Sequence, residues 1–327
     1  MIYVDSLICT PFQIEGPQVR PALEQLRAGG IGCFVSTLAW YEDAVETMDK
    51  IVKWSWMAED NSDLVEIAYT VADIRRIAAS GRTAILLGSQ NVSFLSGRLG
   101  YVELFARMGM RVGQLTYNIQ NDVGGSCYEP TDSGLSRFGK FVVREMNRCG
   151  VVVDLSHVGN RTSVEAIEHS ETPVAITHAN PYTLAPHARN KPDDVLDALK
   201  ANEGMIGLTV YRNIVGEYTN PQKWSEMVAW TVDRLGIDKV GIGTDFDQTG
   251  GEAHLRWMRQ GRWSREVNHG AGRPGGPIEA PPLDWIASPA DFPNIEKALR
   301  DRGFHDDEVA RIMGENWLDF FERTFRS

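Results

Sequence analysis

Cysteine is scarce and scattered in this sequence: Cys9, Cys33, Cys127 and Cys149, with no C-x-x-C pair. That spacing gives neither a thiolate zinc site nor a disulfide framework, and it suits a reducing compartment. Basic charge is also short, with 33 Lys and Arg against 44 Asp and Glu and a net charge of −11. Nucleic-acid binding is driven by neutralising phosphates and normally brings a basic surplus, so no nucleic-acid partner is expected. No apolar run approaches the ~20 residues of a bilayer span. The opening M-I-Y-V-D-S-L-I-C-T has no basic stretch leading into an apolar one. Neither membrane attachment nor a signal peptide is therefore expected, and the expected location is cytoplasmic.

What is present is a rhythm. The 327 residues are 43% hydrophobic, enough for a full core. Eight β-branched, nearly continuous apolar runs recur at 2–8, 31–38, 83–90, 112–117, 151–157, 174–179, 205–211 and 240–246. Strands buried on both faces read this way. Amphipathic segments separate them. Residues 136–150 offer an N-cap serine and a closing glycine, and 191–200 a proline and two acids in the first turn. Eight strands, each followed by helical sequence, predict an α/β fold, a (β/α)8 TIM barrel over 1–327 as a single domain. An open doubly wound sheet is the alternative, but no G-x-G-x-x-G follows the first run. Two segments break the rhythm. Residues 41–80 read as two consecutive helices. Residues 248–289 are irregular and rich in Gly, Pro, Arg and Trp, which after the eighth strand suggests a lid-like insertion.

In such a barrel, reactive groups stand at the C-terminal strand ends. The fifth run ends in His157, the sixth in His178, and the eighth in Asp245. Taken alone, each has an ordinary reading: two core histidines and a capping aspartate. Together they place two imidazoles and a carboxylate at one mouth, a ligand set suited to zinc or another divalent metal.

The segments G-V-V-V-D-L-S-H-V, P-V-A-I-T-H-A-N-P-Y, H-A-R-N-K-P-D-D-V and V-G-I-G-T-D-F-D resemble the membrane (renal) dipeptidase family, peptidase family M19 of the amidohydrolase superfamily. The resemblance covers about 83–247 and resumes at 284–323. It implies dipeptide hydrolysis at a pair of zinc ions. His157 and His178 would hold one ion, and Asp245 would serve the other ion and proton transfer. Arg189 would bind the substrate carboxylate.

The resemblance also exposes departures. The family's first strand ends in D-G-H-x-D, where this chain has Asp5, Leu7 and Cys9. A bridging glutamate is matched by Gln90, and a carbonyl-polarising histidine by Tyr117. Leucine cannot coordinate, and a glutamine carbonyl is a weak third ligand. At most one ion is therefore expected, and a metal-free state is conceivable. Three functions follow: a one-metal hydrolase of a dipeptide-like substrate with Asp245 moving the proton and Tyr117 donating to the oxyanion, a lyase or isomerase using Asp245 as base, or a metal-free binding protein. A homodimer is allowed, with Trp54 and Trp56 suggesting either a packed hairpin or a subunit contact. His187 reads as a solvated loop residue. Asp247 reads as a support for the Asp245 loop. His254 and His269 lie in the insertion within possible reach of the site.

Overall fold

The computed structural model describes residues 1–9, 15–248, 252–262 and 280–325. Eight parallel strands run in order around a closed ring: β1 (Tyr3–Cys9), β2 (Ile31–Thr37), β3 (Thr83–Ser89), β4 (Met110–Gln114), β5 (Val152–Asp154), β6 (Ala175–Ile176), β7 (Met205–Leu208) and β8 (Val240–Ile242). Asp5 of β1 lies opposite Ile242 of β8, which closes the ring and excludes the open sheet. The fold is the expected (β/α)8 barrel.

Period-2 alternation builds the interior. Phe34, Ile85, Val153, Ile176 and Ile206 pack in one cluster with helical residues such as Leu23, Val142 and Leu196. The alternate residues Cys33, Val35, Leu86, Val112, Val152, Ala175 and Met205 form a second cluster with Trp317 and Phe321. Following this second set toward the C-terminal ends gives Thr37, Gln90, Gln114, Asp154 and Thr177, all buried and polar. The chemistry therefore begins where the apolar layers of the barrel stop.

Several strands end earlier than their apolar runs. The fifth stops at Asp154, not 157, and the sixth at Ile176, not 179. The fourth stops at Gln114, the seventh at Leu208 and the eighth at Ile242. For three of these ends the cause is visible. The Asp154 carboxylate accepts from the Ser156 and Thr177 amides, each at 3.0 Å. Asp5 accepts from the Thr244 amide at 2.9 Å. Side-chain acceptors take donors that the ladder would otherwise use. His157, His178 and Asp245 thus stand on turns just past the strands. The short strand Phe246–Asp247 then pairs with Ile8 and Cys9, so the Asp247 backbone supports the Asp245 loop.

Between 41 and 80 the helices Ala44–Asp60 and Val71–Ala79 are present, but a three-residue strand, Val65–Ile67, separates them and pairs with β3 outside the ring. Too short to show a period, it was invisible in the sequence. The helix Arg137–Cys149 has its predicted caps: Ser136 accepts from the Gly139 amide at 2.9 Å, and Gly150 takes φ +67°. Two glycines matter for the site. A Cβ on Gly207 or Gly243 would lie 2.1 or 1.8 Å from the Thr177 carbonyl oxygen. Their absence of side chain lets Ser6 Oγ donate to that carbonyl at 2.5 Å, tying β1 to the turn that carries His178.

Candidate active site

The two histidines converge. His157 Nε2 and His178 Nε2 are 3.1 Å apart, and both side chains are buried. Their other ring nitrogens set the tautomers. His157 Nδ1 lies 2.7 Å from Asn118 Oδ1, an acceptor, so Nδ1 carries the proton. His178 Nδ1 lies 2.8 Å from Thr177 Oγ1, whose own proton goes to Asp154 Oδ2 at 2.7 Å. That hydroxyl can only accept, so His178 is also protonated at Nδ1. Both Nε2 lone pairs then face one point. Burial, with the nearby charge of Arg189, pushes both imidazoles well below their usual range, so they stay neutral. Neutral rings fixed through Nδ1 are in the state that metal coordination requires.

Arg189 and Lys191 stitch these turns together. Arg189 Nη1 donates to the Ser156 carbonyl and Nη2 to the His178 carbonyl, the latter at 2.8 Å. Lys191 Nζ donates to the Val158 carbonyl at 2.6 Å. Burial holds the Lys191 ammonium down to about 7. His187, expected to be solvated, is half-buried instead, because its Nδ1 accepts from the Arg189 amide at 3.1 Å.

The opposite side of the mouth is apolar. Leu7 and Cys9 pack with Trp40, Tyr41, Tyr117, Ile119, Leu255 and Met258. Gln90 Nε2 donates to Cys9 Sγ at 3.2 Å and to Thr37 Oγ1 at 3.1 Å. Burial, with the charges of Asp247 and Asp245, pushes the Cys9 thiol well up, which opposes a thiolate. Asp5 accepts from Leu7 N, Thr244 N and Thr244 Oγ1, so its carboxylate serves the backbone.

Asp245 lies between the two sides. Its backbone takes φ +60°, a left-handed conformation uncommon outside glycine, and its amide donates to the Leu7 carbonyl at 3.2 Å. Burial, opposed by Arg189 and aided by Asp247, pushes its carboxyl up to about 7. Tyr117 lies with its ring centroid 4.4 Å from that of His157, and its hydroxyl reaches Met258 Sδ at 3.4 Å. Cys9, Gln90, Tyr117, Asn118, His157, Arg189, Asp245 and Met258 line one cavity of about 60 Å³, together with Tyr128, Tyr211, Asp247, Leu255 and Arg259, and His178 is reached only through its contact with His157. Leu255, Met258 and Arg259 belong to the helix Glu252–Gln260, which closes the mouth from the insertion. His254 of this helix does not line the cavity; its ring packs against Trp40 and Trp257. His269 lies outside the described residues.

The donor set can be tested against a metal. Two converging neutral imidazoles fit one divalent ion. Leucine, a buried thiol and a glutamine tied to that thiol do not fit a second. Among the described residues no group of three or more His, Cys, Asp and Glu side chains is gathered for metal binding.

Sequence reasoning reached His157, His178 and Asp245 through their place at the strand ends. It missed Asn118, Asp154 and Thr177, which set the tautomers, and Tyr128, Tyr211 and Arg259. For Asp154 there was a signal: a carboxylate inside an otherwise apolar run, V-V-V-D-L, must be answered by donors.

A closed (β/α)8 barrel with paired histidines and an aspartate at its C-terminal mouth defines an amidohydrolase-superfamily protein. The chain belongs more narrowly to the membrane dipeptidase family, peptidase family M19, whose model matches residues 11–256. It is 36% identical to dipeptidase verJ of Clonostachys rogersoniana over 332 residues, covering 96% of this chain and 77% of that protein. It is 31% identical to dipeptidase tcpJ of Claviceps purpurea (strain 20.1) over 278 residues; that match covers 83% of this chain and only 58% of the relative's length. An amidohydrolase from Pseudomonas aeruginosa is similar in structure, with a TM-score of 0.90, 35% identity, and coverage of 99% of this chain and 96% of that one.

Proposed function

We propose that the chain is a dipeptidase-type hydrolase that cleaves a dipeptide or a similar small amide, with one divalent ion held by His157 and His178. One observation carries this reading: two imidazoles, fixed at Nδ1 by Asn118 and Thr177, turn their Nε2 lone pairs to a shared point. Bare lone pairs 3.1 Å apart repel, and a cation between them removes the conflict. A bound divalent ion would supply a nucleophile by lowering the pKa of its water toward ~7. Gln90, engaged with Cys9 and Thr37, stands outside the ligand set in this reading.

The protein's own groups do the rest. Asp245, at about 7, can take a proton and return it to the leaving amine near neutral pH. The buried Tyr117 hydroxyl, pushed well above its usual range by burial, stays protonated. Its contact with Met258 Sδ is weak, so a substrate carbonyl oxygen can displace it and gain a donor as charge develops. Arg189 holds both histidine turns through their carbonyls with two of its five N–H donors, and in this reading its remaining donors take the substrate carboxylate at the cavity it lines.

The helix Glu252–Gln260 acts as a lid. A cavity of about 60 Å³ holds a few waters and no dipeptide, so substrate must displace this helix. A neighbouring cavity of about 150 Å³, of mixed polarity, shares Tyr211, Asp245, Asp247 and Leu255 with it and offers room for a substrate side chain. The reading includes a homodimer in the cytoplasm. Val45, Val52 and Trp56 form an exposed apolar stripe on the helix Ala44–Asp60, while Trp54 is buried in the core; sedimentation measures the subunit count directly.

Metal analysis of the purified protein, combined with a panel of L-L and L-D dipeptides, tests the proposal. Close to one equivalent of metal and chelator-sensitive hydrolysis are expected. Less than about a tenth of an equivalent, with no gain on adding zinc, would overturn it in favour of metal-free chemistry or binding.

A further inference from the structure

The cavity beside the active site has a composition of its own. Its floor is apolar: Val210 and Phe246 from just past β7 and β8, Leu283 and Ile286 from the end of the insertion, and Leu255 from the helix Glu252–Gln260. All of them are buried. The wall that bears Leu283 and Ile286 is held from behind. Between them Trp285 donates its indole N–H to the Thr219 carbonyl at 3.1 Å and packs on Trp224, with ring centroids 5.8 Å apart. The Ile286 amide donates to the Leu283 carbonyl at 3.0 Å. So pinned, the wall resists collapse into the space, and a packed interior leaves such a space unfilled only at a cost. The space measures about 150 Å³. An apolar void of that size takes a benzene ring.

Charge decides which end of a dipeptide reaches it. Arg189 lines the active cavity but not this one, whereas Asp247 lines both. With the carboxylate at Arg189, the opposite, N-terminal end lies toward Asp247, whose charge suits an ammonium. One cation, Arg212, also borders the second cavity. Asp245 and Asp247 border it too, so an acidic side chain entering beside Arg212 would have to approach two carboxyl groups.

We propose that this cavity is the specificity pocket for the N-terminal residue of the dipeptide, and that it takes an aromatic side chain of phenylalanine size. The inference rests on the dipeptidase-type reading and names its substrate class. The ring fills the void against Leu283 and Ile286 and meets Leu255, so the side chain that is selected also packs against the lid helix.

The test compares Phe-Ala, Ala-Phe, Glu-Ala and Ala-Ala. kcat/KM is measured on metal-loaded protein, and binding by calorimetry on chelated protein, where no turnover occurs. Burying a benzyl group in place of a methyl should give roughly a 10- to 100-fold preference for Phe-Ala over Ala-Ala in both, while Ala-Phe gains little. Ala287 stands exposed at the rim of the cavity, so A287F fills the space without removing a core group. It should bring the ratio of Phe-Ala to Ala-Ala within about threefold of unity. I286V takes one methylene from the floor and should favour Trp-Ala over Phe-Ala by ~threefold relative to the parent. Should A287F melt early, I286V reads the same pocket. Equal rates for Phe-Ala and Ala-Ala, or a preference for Ala-Phe or Glu-Ala, would overturn the pocket assignment and leave the dipeptidase reading standing. So would a Phe-Ala preference that neither variant changes. No hydrolysis of any dipeptide, with Phe-Ala still bound more tightly than Ala-Ala and that preference lost in A287F, would sink the dipeptidase reading and keep the pocket.

Discussion

The two sides of the barrel mouth are built by opposite rules. On the side of β5 and β6, the groups behind the histidines are answered in pairs: Asp154 by Ser156 and Thr177, His178 Nδ1 by Thr177, His157 Nδ1 by Asn118. On the side of β1 and β3, Leu7 and Cys9 extend an aromatic cluster that runs into the lid helix, and Gln90 is turned to the thiol. In the proposed reading the first side is preorganised for a cation. On the second side Leu7 and Cys9 pack the barrel against Leu255 and Met258 of the helix Glu252–Gln260.

Asp245, between the two sides, gives the largest expected effect. Replacing it with Asn removes the proton acceptor, and turnover should fall by ~10²- to 10⁴-fold. Stability should move the other way. The folded carboxyl titrates at about 7 against an ordinary value of 3.8, so the folded state holds its proton over that range. Its contribution is fully present below about 4 and is lost as pH rises through about 7. In chelated protein, the melting temperature of D245N relative to the parent should therefore rise between about pH 5 and pH 8. A difference that is flat with pH would show Asp245 to be solvated, and would detach it from the buried mouth.

A rebuilt second side tests the contrast itself. The triple variant L7H/C9D/Q90E restores the histidine and carboxylates that the family pattern has at these places. It should take up a second equivalent of zinc, read by elemental analysis. Without metal it should lose roughly 2–4 kcal/mol of stability in denaturant titration, since three ionisable groups replace a packed leucine, a thiol and a neutral amide. Tight binding of a second ion with no stability cost would mean that the apolar cluster is not what fastens the lid.

Much of this was legible in the sequence. Eight buried runs alternating with capped amphipathic helices fix the barrel, because period and burial are local properties. His157, His178 and Asp245 were legible because strand ends are positions along the chain. Asn118, Thr177 and Asp154 were not. Their role lies in which atom faces which ring nitrogen, and no spacing encodes that. The early strand ends escaped for a related reason, since apolar composition continued past the point where Asp5 and Asp154 took over the backbone donors. Arg259 escaped because W-M-R-Q-G-R-W-S-R shows where Trp and Arg are plentiful, not which arginine turns inward. The packing of its neighbours Leu255 and Met258 against Leu7 and Tyr117 selects the face that turns inward.

The smallest predicted effect separates preorganisation from ligation. If the ordered side owes its metal affinity partly to the tautomer of His157, deleting the Asn118 carboxamide should weaken binding although no ligand is touched. Asn118 sits at φ +58°, where alanine would add backbone strain and confuse the reading. Glycine suits that conformation, so N118G removes the acceptor cleanly. Zinc affinity, from competition with a chromophoric chelator, should fall by ~10- to 100-fold, with the stoichiometry unchanged at saturation. N118D keeps an acceptor and adds charge at Nδ1, so it should hold or raise the affinity. Equal losses in N118G and N118D would mean that the loop, not the proton on Nδ1, matters. The answered side would then be a scaffold like the apolar one, and the contrast between the two sides of the mouth would reduce to composition.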